Sequence, residues 1–460
     1  MSKTFDAIFI GAGQSGPFLA ADFANAGHKV ALIERAHLGG TCVNDGCTPT
    51  KTMVASARAA HLARRGGDFG VNVPGPISVD MKAVKRRKDE VVNASVTSLS
   101  NWLGGPENLT LIEGEAKFTG TKQITVNGET LTAEKIFINT GARARIPDWA
   151  GIETIPYLTN TSIMDLDELP EHLVVVGGNY VGLEFAQMFR RFGSEVTVIE
   201  HGNRLAKKED PDISSAIADI VANEDIEVLY DTSDISLQPS GTGFTLTLKV
   251  GGAERQLEGS HLLLAIGRVP NTDALDPEAA GIEMDKSGHI PADEHLRTNV
   301  PGIFALGDVN GRGAFTHTSY NEYEIVKDNL LSGGNRSLAG RIMTYAMYID
   351  PPLGRAGLNE TQAREQGREV LVASMPMSQV SRAKERSETQ GLMKVVVDAN
   401  SKRIIGASIL GIEGDEVVQT LLAYMASDVP YTVLTQTMQI HPTVTELLPT
   451  LLGKLEPLSS

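Results

Sequence analysis

Short unbroken apolar runs recur along the first half of the chain, each followed by glycines and then by a stretch with helical spacing. Phe5-Asp6-Ala7-Ile8-Phe9-Ile10 predicts a buried strand. The stretch through Asn25 predicts a helix, and 29–33 a second strand ending at Glu34. The same order returns as a strand over 173–176, a helix to about Phe192, and a strand over 195–199 ending at Glu200. Such strand–helix–strand units predict parallel sheets covered by helices. A long helix is expected over 79–102. Its run Lys82, Lys85, Arg86, Arg87 and Lys88 reads as a solvated face rather than an anion patch. Between 109 and 139 the pattern shortens to alternation, with Asn127-Gly128 as a hairpin turn. Alternation returns over 244–264. The last hundred or so residues mix strands (391–397, 404–410) with helices (416–426, 432–438), which suits an antiparallel sheet backed by helices. At about 150 residues per domain, 460 residues make about three domains.

The glycines give the repeated unit a purpose. In the first copy Gly11 permits a tight turn, Gly13 lets the backbone approach a pyrophosphate, and Gly16 allows close helix–strand packing. The helix start offers free N–H groups to phosphates, and Glu34 suits an adenosine ribose. The second copy has Gly177, Gly178 and Gly182, with Glu200 at the same spacing from Gly177 as Glu34 from Gly11. Asn179 stands where a glycine is expected. Asparagine tolerates unusual backbone angles, so the turn should survive with a slightly different approach to phosphate. Glu200 suits a free ribose 2′-hydroxyl and would repel a 2′-phosphate. That favours NADH over NADPH, against which stand the nearby Arg204, Lys207 and Lys208.

Composition adds one further element. The chain has only two cysteines, Cys42 and Cys47, both in the run Gly39-Gly40-Thr41-Cys42-Val43-Asn44-Asp45-Gly46-Cys47-Thr48-Pro49-Thr50-Lys51. A staple across so short a loop removes little chain entropy. A closed zinc site needs about four ligands, and no second pair exists, so no resident metal is expected. What remains is a redox-active dithiol or an inert pair. The net charge of −16 argues against nucleic acid and anionic membrane surfaces, and no run of about 18 apolar residues would span a bilayer. A strand beginning at Phe5 leaves no room for a signal peptide, so a cytoplasmic location is expected, where thiols stay reduced. Two dinucleotide units and a close cysteine pair suggest an electron relay, with FAD in the first unit and a nicotinamide coenzyme in the second.

At these residues the chain resembles the class I pyridine nucleotide–disulfide oxidoreductases, the group of lipoamide dehydrogenase, glutathione reductase and mercuric reductase. The cysteine run is the most specific match. Thr140-Gly141-Ala142-Arg143 with Pro147, Ala265-Ile266-Gly267-Arg268-Val269-Pro270-Asn271, the segment 298–308 ending at Asp308, and His441-Pro442-Thr443-Val444-Thr445-Glu446 also match. Phe315-Thr316-His317 leading into Tyr320-Asn321-Glu322-Tyr323, and the run from Pro351 to Leu358, resemble the mercuric-reductase-like branch, which includes copper reductases of reactive-chlorine defence. The chain departs from that branch in lacking both a metal-binding N-terminal domain and a C-terminal cysteine pair. Asp45, Thr48 and Thr50 also make the cysteine run unusually polar.

The resemblance implies an α/β fold with two Rossmann-like domains and a C-terminal α+β dimerisation domain. FAD would occupy 1–145 with 280–335, NAD(P) 146–279, and the interface domain 340–460. Thr41, Thr140, Gly141 and Asp308 would join Gly11, Gly13, Gly16 and Glu34 at the flavin. Tyr180, as an aromatic gate, and Gly267 would serve the coenzyme site with Gly177, Gly178, Gly182 and Glu200. Cys47 would lie nearest the flavin as the charge-transfer thiolate, and Cys42 would face the substrate. Lys51 and Glu184 would pair at the flavin N5 edge. His441, oriented by Glu446, would hold the exchange proton and come from the partner subunit of a homodimer. Asp45 carries the hypothesis that its carboxylate raises the thiolate pKa. The expected acceptor is a small disulfide. The alternatives are a soft metal ion, Hg(II) or Cu(II), and lipoamide-type dithiol oxidation with NAD.

Overall fold

The computed structural model describes residues 2–458. Strand Lys3–Ile10 lies between Val30–Glu34 and Glu129–Ile138, parallel to both, and Leu109–Glu113 extends the Val30–Glu34 side. Ile303–Ala305, from far along the chain, pairs in parallel with Glu129–Ile138. The register sets Phe9 beside Phe137 and Phe137 beside Phe304. Their rings stack at 4.5 and 4.9 Å, each pair contributing about 0.5–1.5 kcal/mol beyond its buried area. The other end of Glu129–Ile138 turns antiparallel against Gln123–Val126 and, beyond it, Lys117–Gly120. The linking turn is Asn127-Gly128 with φ of 51° and 78°, the positive values a two-residue hairpin needs.

The second sheet is parallel throughout. Its order is Glu227–Leu229, Glu195–Ile199, His172–Val176, His261–Leu264 and Tyr157–Leu158. The alternation over 244–264 resolves into two destinations. Gly243–Val250 and Ala253–Gly259 form an antiparallel sheet with Thr232–Ser240. His261–Leu264 leaves it for the parallel sheet, because Leu262, Leu263 and Leu264 are an unbroken buried run suited to a strand covered on both faces.

The C-terminal sheet is antiparallel, in the order Thr344–Met347, Leu353–Gly357, Ile404–Leu410, Leu392–Asp398, Val370–Pro376, Glu456–Pro457, with helix Gly414–Ala426 against it. The helix expected over 432–438 stops at Gln436. Thr437 is extended, and Met438 and Ile440 are 94% and 79% exposed, with no core in this chain to hold them in a helix. The long helix spans Met81–Leu103. Its basic run is not wholly solvated: Lys88 is buried, paired with Asp89 and Asp165.

Asp350 ties the parts together. Its carboxylate pairs with Arg58 on the helix that begins at Cys47 and with Arg191 on the helix that begins at Tyr180. Its backbone exchanges hydrogen bonds of 2.7 and 2.8 Å with Gln187. Burial alone would raise the Asp350 carboxyl, but Arg191 and Arg58 hold it below the usual carboxylate range.

Candidate active site

Both glycine-rich turns open at the C-terminal ends of parallel strands, where α/β sheets bind ligands. Gly11 and Gly177 adopt φ of +100° and +116°, and a Cβ on either would lie 2.3 or 2.4 Å from a facing carbonyl, of Asn139 or Ala265. Behind them, a Cβ on Gly16 or Gly182 would strike the carbonyl of Gly11 or Gly177. The acids also act alike. Glu34 accepts from the N–H groups of Ala12 and Ala36, and Glu200 from those of Gly178 and Gly202, so each carboxylate shapes its turn. The copies differ at Asn179. It is extended, with φ −115°, rather than left-handed, and its side chain caps the helix by accepting from Tyr180 N–H at 2.9 Å. The position therefore calls for a capping oxygen, not for unusual backbone angles.

Cys42 lies on the short helix Gly40–Asn44, and Cys47 is the first residue of the helix Cys47–Arg64. Gly40 lets this segment settle on the fingerprint turn; a Cβ there would be 2.8 Å from Gly13 Cα. The Cys42 thiol hydrogen-bonds to Cys47, which lowers the Cys47 thiol to about 6 and raises that of Cys42. Thr316 Oγ1, 3.3 Å from Cys47 Sγ, and the Lys51 ammonium add to the lowering, as a helix N-terminus does for any thiolate. Cys47 is thus a thiolate above about pH 6 and a thiol below it. Replacing Thr316 by valine should move this midpoint upward by about one pH unit, since a hydrogen bond to a charged acceptor contributes about 1.5 kcal/mol and one pKa unit corresponds to about 1.4 kcal/mol. The pH profile of iodoacetamide labelling at Cys47 in the reduced protein, read by peptide mass, checks this. An unmoved profile would assign the low value to Cys42 and Lys51 alone.

Lys51 Nζ meets Glu184 Oε2 at 2.7 Å, and Glu184 Oε1 accepts from Tyr348 N–H at 2.8 Å. The Tyr348 ring lies 4.7 Å from the same ammonium. Tyr180 packs against Phe315 at 5.6 Å. Asp308, largely buried and raised by that burial, is 3.4 Å from Arg268, which opposes the rise. Sequence reasoning assigned no role to Arg268, Thr316, Asn139 or Glu322. Asn139 donates to the Leu306 carbonyl and Ser15 Oγ and accepts from Gly16 N–H, so one amide joins three segments of the first site. Glu322 accepts from Gly307 N–H and Asn310, holding the turn that presents Asp308. Arg268, Thr316 and Glu322 lie inside the family-like motifs, whereas Asn139, beside Thr140, carries no signal of its own.

These side chains converge on one cavity of about 1290 Å³. Gly11, Gly13, Glu34, Thr41, Thr140, Gly141 and Asp308 line one part of it, with Gly177, Gly178, Tyr180, Glu200 and Gly267 in another and Cys42, Cys47, Lys51 and Glu184 also on its wall. Gly16 and Gly182 sit behind it as packing positions. Asp45 also lines it and is raised by burial, with His37, Asp165, Lys88 and Arg268 as its charged neighbours. The leading influences on the two thiols are each other and their burial, then Thr316 and Lys51, with Glu184 opposing at Cys47, and Asp45 is not among them. His441 and Glu446 do not line the cavity of their own chain. They pair with each other at 2.9 Å, with the His441 side chain 74% exposed.

Residues 5–322 match the family model described as pyridine nucleotide-disulphide oxidoreductase, and 343–452 match the dimerisation domain of the same family. The chain belongs to the pyridine nucleotide–disulfide oxidoreductases. Within this family it is 36% identical to the probable pyridine nucleotide-disulfide oxidoreductase RclA of Escherichia coli, over 96% of this chain and 98% of that one. It is 31% identical to a mercuric reductase of Lysinibacillus sphaericus, over 96% and 81% of the two chains. A solved structure of RclA, an HOCl-induced flavoprotein disulfide reductase, superposes with a TM-score of 0.88 over 97% of this chain and 99% of the other. A Cu(II) complex of RclA superposes equally well, at 35% identity and the same coverage.

FAD is typical of this oxidoreductase family, and the residues present fit it. Thr140 Oγ1 is buried on the cavity wall without a protein partner, and Gly13 leaves the wall bare where a Cβ would stand 3.1 Å from Asn139 Oδ1. Among the described residues no helix is long and apolar enough to cross a membrane.

Proposed function

We propose that the protein is an NADH-dependent flavoenzyme that reduces a small disulfide through the Cys42–Cys47 couple. Gly11, Gly13, Glu34, Thr41, Thr140, Gly141 and Asp308 would hold FAD, which when bound would supply the passage of an electron pair from reduced nicotinamide to the sulfurs. Gly177, Gly178 and Glu200 receive the coenzyme, Tyr180 covers its ring site, and the Lys51–Glu184 pair fixes the ring's approach. In the reduced couple the partner subunit's His441 takes the proton of the Cys42 thiol as its sulfur attacks the substrate disulfide, and returns that proton to the first product thiol as it leaves. The Cys47 thiolate then bonds to Cys42 and displaces the second product as a thiolate, which takes up the H⁺ of the net equation from solvent. The net change is R–S–S–R + NADH + H⁺ → 2 R–SH + NAD⁺, with the Cys42–Cys47 bond made and reduced once per turnover. The carrying observation is the placement of Cys42 and Cys47, with Thr316 Oγ1 3.3 Å from Cys47 Sγ, on the wall of the cavity that also holds the glycine turns and the Lys51–Glu184 pair.

Glu200 is the ground for NADH. It accepts two backbone N–H groups and pairs with His201 at 2.9 Å, and Lys207 turns its ammonium to His201 at 3.3 Å. Arg204 bonds back to the Lys207 carbonyl, and Lys207 shares the cavity wall with Glu200, whose carboxylate would repel a 2′-phosphate.

A second reading, reduction of a soft ion such as Cu(II) or Hg(II) on the two thiols, draws support from the RclA copper complex and from the mercuric reductases. The test is oxidation of NADH and NADPH by the purified protein against oxidised glutathione, lipoamide, other small disulfides, Hg(II) and Cu(II). Turnover of a disulfide with NADH at least about tenfold more efficient than with NADPH is expected. Turnover of a metal ion with no disulfide consumed would replace the first reading by the second.

A further inference from the structure

One wall of the cavity carries a largely buried polar triad that the chemistry above does not use. Glu209 and Arg355 are each only 3% exposed, and Arg355 Nε stands 3.0 Å from Glu209 Oε2. The Tyr345 hydroxyl donates to Glu209 Oε1, and the Arg355 guanidinium lies 6.0 Å from the Tyr345 ring centre. Arg355 Nη1 also donates to the Ala407 carbonyl at 2.8 Å. Burial raises the Glu209 carboxyl against the opposing Arg355, and burial with Glu209 raises the Tyr345 phenol, which therefore stays a donor near neutral pH.

The triad bridges two parts of the fold. Glu209 closes the loop that leaves Glu200 and brings His201 and Lys207 to the cavity. Tyr345 and Arg355 are register partners on the strands Thr344–Met347 and Leu353–Gly357. Tyr345 itself reaches the cavity and stacks on Phe315 at 5.4 Å with the rings 1° apart, and Phe315 meets Tyr180. One hydroxyl thus connects the ribose end of the coenzyme cleft with the aromatic wall at its other end. A purely structural role would be met as well by apolar side chains of similar volume.

We propose that Tyr345 is a positioning residue for the nicotinamide coenzyme: its bond to Glu209 locks the Phe315–Tyr180 wall to the loop carrying His201 and Lys207, so that filling the ribose end sets the ring end. This rests on the reading that the second glycine turn receives NADH. Tyr345→Phe keeps the ring and its stack and removes only the donor, leaving a buried carboxylate with one partner fewer. In the FAD-loaded protein the calorimetric Kd for NAD⁺ should weaken about fivefold to tenfold. KM for NADH should rise in proportion while kcat and the KM for the acceptor stay within about twofold. Glu209→Gln, which keeps an acceptor for the phenol, should show the smaller loss of the two. A Tyr345→Phe protein that binds NAD⁺ within twofold of wild type, or that loses acceptor affinity equally, would overturn the assignment. Wild-type protein that binds no NAD⁺ would instead remove the coenzyme reading beneath it.

Discussion

Cys42→Ser should lower acceptor turnover by more than about a thousandfold while NADH still bleaches the enzyme-bound flavin at close to the wild-type rate. The serine hydroxyl is too poor a nucleophile to open a disulfide, yet it can still donate a hydrogen bond to Cys47. The thiolate should therefore persist, and only the outward half of the reaction should fail. Anaerobic stopped-flow spectra of flavin reduction, set beside steady-state turnover, separate the halves. Loss of both together would mean that the substitution disturbs more than exchange. Retained turnover would remove the sulfur couple from the reaction.

The second large effect is expected at His441. Its ring pairs with Glu446 at 2.9 Å yet stands largely exposed and away from its own chain's cavity. A His441→Ala homodimer should lose about 10²–10⁴-fold in acceptor turnover, the usual contribution of a positioned acid/base group. The informative species is the mixed dimer, with Cys42→Ser in one subunit and His441→Ala in the other. If the imidazole acts across the interface, one of the two sites regains an intact cysteine pair and an intact histidine, and turnover should return to about half that of wild type. If it acts within its own chain, both sites stay dead. Differentially tagged subunits purified as the heterodimer decide between these outcomes.

The parts of the fold legible in the sequence were those set by neighbours along the chain. The strands ending at Ile10 and Val176, the turn at Asn127-Gly128 and the matched glycine spacings depend on local periodicity and backbone angle, and they stand where the pattern puts them. Asn179 was misread because its chemistry has two uses, and the helix start chose the capping one. His261–Leu264 was grouped with the alternating run 244–264 but pairs in another sheet, because a strand's partner is decided by what covers its faces, which alternation does not record. The silent residues share one cause. Asn139, Thr316 and Glu209 each act on a group more than a hundred residues away, and nothing beside them in the chain marks that partner.

Asp350 carries a consequence for the molecule as a machine. Domains joined by small polar interfaces usually swing against one another. Here one carboxylate grips both the helix that begins at Cys47 and the helix that begins at Tyr180. The two helices thereby share one buried anchor, and any movement of one against the other would first have to break an ion pair to Arg58 or to Arg191.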